Sequence, residues 1–127
     1  MASVNRQSLR EEFERQRGAN QYFDVSRLKL LQPLLDITVE LDPKHIAAYR
    51  FGAVFLPDID ADAAVRFVER GIRNNPAEWR LYQDLGFVHW RRSRFREAAE
   101  AYARGAALPG APAWMQTMPA LMLAKGG

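Results

Sequence analysis

The densest run of potential metal ligands is Asp58-Ile59-Asp60-Ala61-Asp62 followed by Glu69, with carboxylates at the first, third, fifth and twelfth places of a calcium-binding EF-hand loop. The sixth place, where the sharp turn needs glycine, is Ala63, and the ninth carries the charge of Arg66. The same acids suit a helix start near Asp60, where a side-chain oxygen caps orphan backbone N–H groups and first-turn acids are favoured by the helix dipole. A helix start is therefore expected, and no metal site. His45 and His89 stand far apart with no carboxylate or second histidine at ligand spacing. The serines lack a Gly-x-Ser-x-Gly context and no glycine-rich phosphate loop occurs, so neither an enzyme nor a cofactor is expected.

Arg91, Arg92, Arg94 and Arg96, with His89 and Trp90 beside them, make the one dense basic patch of the sequence. Guanidinium groups interleaved with aromatics can hold a phosphate backbone and stack a base, so nucleic-acid or other polyanion binding is the alternative function. The other reading is a solvated turn whose arginines favour the C-terminal end of the preceding helix.

A chain of 127 residues, 48% hydrophobic and 26% charged, has the mix of one folded domain with a real core. Its net charge of +3 fits an acidic partner without demanding one. With no cysteine there is no disulfide or thiolate chemistry, and the first residues lack the apolar core of a signal peptide. A soluble protein, cytoplasmic by default, is expected.

Hydrophobic spacing then gives the elements. From about Val4 to Arg17 a charged helix carries Leu9 and Phe13 on one face, with Arg10/Glu14 and Glu11/Arg15 at ion-pair spacing. So narrow a stripe suits a cap, ended by Gly18-Ala19-Asn20. A second helix, capped by Asp24 or Ser26 and bent at Pro33, runs to about Leu41 with Leu28, Leu31, Leu35 and Val39 on one face.

From there the pattern recurs. Tyr82-x-x-Leu85-Gly86-x-x-His89 is followed by Ala98-x-x-x-Tyr102 and a proline-bounded end from Pro109 to Pro112. Tyr49 lies six residues after Pro43 and Tyr82 six after Pro76; Ala53 stands in the glycine place, with Ala64 opposite and Val68 in the second aromatic place. Tyr49 to Tyr82 is 33 positions and Ala64 to Ala98 is 34, so the earlier unit lacks one residue, within the turn Leu56 to Asp60. A turn is where a stacked array tolerates a deletion.

These motifs resemble the tetratricopeptide repeat, W-x₂-L-G-x₂-Y…A-x₃-F…P. The resemblance implies an all-α fold, a right-handed α-solenoid of antiparallel helix pairs with about seven helices. One domain over 1–127 would divide into a cap and incomplete repeat (4–43), two repeats (44–76 and 77–112) and a capping helix (113–125). Gly86 would face Ala98, and Leu31 and Leu35 would hold the alanine and aromatic places of the incomplete repeat.

It also implies a non-catalytic scaffold that binds a peptide or partner protein in a concave groove. The matching positions are Arg50, Phe51, Val54, Arg80, Gln83, Asp84, Phe87, Trp90 and Arg91. Phe87 and Trp90 flanked by arginines suit an apolar anchor with an acidic neighbour, unless a neighbouring helix covers them as core. Family members that grip a C-terminal carboxylate use asparagines where this chain has Val54 and Asp84.

After Pro112, Ala113 to Ala124 reads as one short helix with Trp114, Met118, Leu121 and Met122 on one face and Met115 and Leu123 elsewhere. That is apolar on too many sides for a simple cap. Either another surface covers it, a following repeat or a second copy of the chain in self-association through this helix, or Pro119 breaks it and the end frays.

Overall fold

The computed structural model describes residues 6–127, with the side chains of all but 13 and 16–28. It is all-helical: α1 (Arg6–Leu41), α2 (Ile46–Phe55), α3 (Ala61–Asn74), α4 (Trp79–Arg91), α5 (Phe95–Ala106) and α6 (Met118–Lys125), with 3₁₀ turns at Leu56–Asp58 and Ala113–Gln116. No strand occurs among the described residues.

The two N-terminal helices expected from the sequence are one. α1 runs for 36 residues straight through Gly18-Ala19-Asn20 and Pro33. Glycine costs a helix only about 1 kcal/mol, and an internal proline forfeits one hydrogen bond without ending the chain's helical path. The helix stops at Leu41 because Asp42 precedes Pro43, which disfavours helical backbone. The side chains of Phe13, Asp24, Ser26 and Leu28, given roles above, lie outside the described residues, as does the start near Val4. Arg15 pairs with Glu12 at 2.7 Å, and Glu11 accepts from Gln7, so neither expected pair forms. Leu9 caps nothing, being 58% exposed.

Only the C-terminal part of α1 enters the core, through Leu35 and Val39 with Leu31 beside them. They join α2, α3 and α4 around Tyr49, Leu56, Phe67, Leu81 and Leu85. A second cluster, built on Ala98, Tyr102, Met115 and Met122, closes α5 against the C-terminal segment.

The caps follow the local chemistry. Asp60 accepts from the N–H groups of Asp62 and Ala63 and starts α3 as its residue type predicts. His45 Nδ1 accepts from Ala48 N–H to start α2, and a Glu78 carboxylate oxygen accepts from Arg80 N–H to start α4. The Leu56–Asp58 turn is a packed continuation of α2, with Leu56 and Pro57 buried.

Two devices recur along the chain. Tyr49 Oη donates to the Pro43 carbonyl and Tyr82 Oη to the Pro76 carbonyl, both at 2.8 Å, tying each helix to the loop before it. A Cβ on Gly71 would meet the Tyr49 ring at 2.7 Å, and one on Gly105 would meet Tyr82 Cβ at 2.7 Å. Two other glycines are pressed by aromatic rings, and here the structure corrects the expected partners. Gly86 faces the ring of Tyr102, 2.6 Å from where its Cβ would be, rather than Ala98. In the earlier pair the close approach is Gly52 under Phe67, one residue ahead of Ala53 and Val68. Ala53, Ala64, Val68 and Ala98 are all buried as core.

The C-terminal segment is not one helix. Ala113–Gln116 is a 3₁₀ turn, and Pro119 stands in the first turn of α6, where its missing N–H costs nothing. Met115, expected at the surface, is fully buried and reaches Gly105. Trp114 packs edge-on to Trp79 with ring centroids 6.0 Å apart.

Candidate functional site

The expected groove residues separate into two kinds, and charge decides which. Arg50 Nε donates to Asp84 at 3.0 Å, linking α2 to α4. Arg80 turns back on Glu78 at 2.9 Å and lies over the Trp79 ring. Arg91 reaches Asp58 and lies over the Phe87 ring. All three arginines offered to an acidic partner therefore have carboxylates of their own.

Asp84 is nearly buried, and burial pushes its carboxyl above the ordinary aspartate value, although the Arg50 guanidinium pulls it down through the hydrogen bond and its charge. Its negative charge, after burial, helps raise the Tyr102 hydroxyl. Gln83 is half-buried beside it. Asp84 thus acts as an internal tie between helices.

The basic turn behaves in the same way. Arg94 bonds Asp62 at 2.9 Å and with its charge holds that exposed carboxyl below the usual range. The three aspartates of the acidic run consequently go to three places: Asp58 to Arg91, Asp60 to the α3 cap and Asp62 to Arg94. Arg92 and Arg96 remain exposed with no ion-pair partner among the described residues. Ser93 between them has φ 56°, a left-handed conformation that closes the turn.

The apolar members stay available. Phe51 and Val54 are half exposed on α2, with Phe51 against Phe55 at 4.5 Å between centroids. Phe87 and Trp90 stack at 5.9 Å on α4, and Trp90 is 40% exposed. This second pair forms one wall of a cleft of about 330 Å³ completed by Tyr102, Met118, Leu121, Met122 and Lys125. The pair is neither a free-standing groove surface nor covered core.

The α6 contribution was missed from the sequence. One short helix was expected from Ala113 to Ala124; the 3₁₀ turn and the restart at Met118 instead place Leu121, Met122 and Lys125 across the cleft from Phe87 and Trp90, with α6 packed on α5. Lys125 has no ion-pair partner among the described residues, so the cleft carries one available cation at its lip.

His89 is half-buried, and its Nδ1 is buried with no hydrogen-bond partner among the described residues. Burial, with the charge of Arg94, holds its imidazole below the ordinary value against the upward pull of Glu97, Glu69 and Glu100. A neutral packing ring is the result. Among the described residues no helix is long and apolar enough to cross a membrane.

The chain matches no protein-family model, and comparison with curated proteins returns no match.

Proposed function

We propose that this chain is a non-catalytic, tetratricopeptide-like solenoid that binds a protein partner through the cleft between α4, α5 and α6. The observation that carries the reading is the stacked, part-exposed pair Phe87 and Trp90 in an otherwise apolar recess with Lys125 at its lip. Such a recess takes one large apolar side chain of a peptide, and the ammonium favours a carboxylate next to it. The repeated Tyr–Pro hydrogen bonds and glycine contacts support the solenoid assignment, since they recur at the spacing of the repeat.

Arg50, Arg80 and Arg91 in this reading are not ligand contacts, because each is already paired and none lines the cleft. The same pairing weighs against polyanion binding at the Arg91–Arg96 turn, where Arg91 and Arg94 have internal carboxylates.

A random peptide display library selected on wild type, and in parallel on Trp90→Ala and Leu121→Glu, tests this. An enriched motif of a bulky apolar residue beside an acid, retained by wild type and lost by both variants, is expected. No enrichment, or equal enrichment on all three proteins, rejects the cleft.

A further inference from the structure

α1, α3 and α5 are linked in series by one kind of ion pair made twice. Asp36 of α1 meets Arg70 of α3 at 3.8 Å, and Glu69 of α3 meets Arg104 of α5 at 3.6 Å. Asp36 to Glu69 is 33 positions and Arg70 to Arg104 is 34, the same steps that relate Leu31, Ala64 and Ala98. Partly exposed pairs of this kind fix register more than stability. The series stops without charge on both sides. One step beyond Glu69 stands Ala103 of α5, and one step before Arg70 stands Ile37 of α1, which is exposed.

Leu34 belongs to the same series. Its equivalents, Phe67 in α3 and Ala101 in α5, are 4 and 2% exposed, whereas Leu34 is 61% exposed. Phe67 lies against Gly52 of α2, the helix before α3. Nothing covers Leu34 in that way, because α1 runs straight through Gly18-Ala19-Asn20 instead of folding back over itself. At the other end, Met115 follows Pro109 by six residues, as Tyr49 and Tyr82 follow Pro43 and Pro76, so α6 holds the place of α2 and α4. Leu121 and Lys125 of α6 face the cleft. Leu123, 55% exposed, lies about 160° round the helix from Leu121, on a flank left open. In α4 the equivalent residue is Trp90, which stands beside Tyr102 of the helix that follows. Among the described residues, then, α1 lacks the helix that precedes each of its equivalents, and α6 lacks the helix that follows each of its own.

We infer that copies of this chain stack head to tail, with α1 of one copy beside α6 and α5 of the next, so that Ile37 meets Ala103 and Leu34 covers the flank of α6 that carries Leu123. The junction continues the α1, α3, α5 series, and complementarity at the ion-pair places selects the occupant. A charge kept at only one of the two ends would be left unpaired between the copies, and both ends have lost theirs. A stack that stays alone needs polar outer faces at its ends, and these carry Ile37, Leu34 and Leu123. The contact joins two different surfaces, so it propagates into a ring or an open array rather than closing on a pair. The inference rests on the solenoid reading proposed above, and not on what the cleft binds.

Sedimentation velocity of the full chain from about 1 to 100 µM tests the stacking. Wild type is expected to form species larger than two chains. Leu34→Glu spoils one end and Leu123→Glu the other, so each variant alone should run at the mass of one chain. Mixed in equal amounts, each supplies the end that the other lacks, and a complex of twice that mass, with nothing larger, should form. Both residues are exposed, and circular dichroism melts check that the variants keep the wild-type fold. Ile37→Arg alone should weaken assembly about tenfold, and adding Ala103→Glu to the same chain should restore it by rebuilding the pair that Glu69 makes with Arg104. Leu121→Glu, on the cleft flank, should assemble as wild type does, so loss of peptide binding and loss of stacking are read separately. A monomeric wild type, an assembly that stops at two chains, or a mixture of the two variants that stays monomeric overturns the inference.

Discussion

Arg50 of α2 holds the nearly buried carboxylate of Asp84 on α4 at 3.0 Å, so two helices separated by a whole intervening helix are joined by one charge pair. Asp84 is largely removed from water while Arg50 keeps part of its hydration, which makes the two members unequal: removing one leaves a buried charge, removing the other leaves a solvated one.

Asp84→Asn is expected to be tolerated at neutral pH, and Arg50→Ala to destabilise clearly. The pH dependence follows from the sign of the Asp84 shift. Its folded value lies above the ordinary one, so its contribution is fully present below the ordinary aspartate value and is lost as pH rises through the raised one. Wild type should therefore lose stability relative to Asp84→Asn as pH climbs from about 3 to 7. Urea denaturation of both proteins across that range checks it, and a difference running the other way would show that Arg50 outweighs desolvation.

Gly86→Ala should cost about 1–3 kcal/mol, because the new Cβ would lie well inside the van der Waals radius of the buried Tyr102 ring. Gly110→Ala is a contrast, with no atom within 4 Å but φ at 85°, where the loss comes from backbone strain alone. Pairing Gly86→Ala with Tyr102→Leu should recover part of the first loss if the ring is the obstacle. Thermal melts of the three proteins decide.

Tyr82→Phe removes the hydroxyl bonded to the Pro76 carbonyl and should cost about 1 kcal/mol. Tyr49→Phe should cost more, since its hydroxyl also accepts from Asn74 Nδ2 at 3.3 Å and the ring is fully buried. Equal losses would mean the Asn74 contact contributes nothing.

His89→Phe deletes a buried nitrogen without a hydrogen-bond partner, and stability at neutral pH should stay level or rise by up to about 1 kcal/mol. The depressed imidazole means that wild type loses stability as pH falls from the ordinary histidine value through the lower folded one. The phenylalanine variant should lack that component in a pH series of melts.

Much of the helical layout was legible because it is written in local chemistry. Prolines after Leu41, Asp60 as a cap, three- and four-residue apolar spacing and the Pro-x₅-Tyr recurrence act within a few residues of themselves, so a linear reading finds helical segments and the core alanines. The join across Gly18-Ala19-Asn20 was not legible, because a weak helix former and a true stop look alike in sequence when the penalty is only about 1 kcal/mol.

Tertiary structure alone decided which charges are available. Arg50, Arg80 and Arg91 read as free donors in the sequence; the carboxylates that take Arg50 and Arg91 lie 34 and 33 residues away, distances that only packing can close, whereas Glu78 is a local partner of Arg80. It also decided that Phe67 rather than Val68 overlies a glycine, and that Met115 is core while Leu121 and Lys125 finish a cleft begun by Phe87 and Trp90. The sequence determined by itself that this chain is helical, since hydrogen bonding and capping are local; the candidate surface depended on how the helices meet, which is set by side chains far apart in the chain.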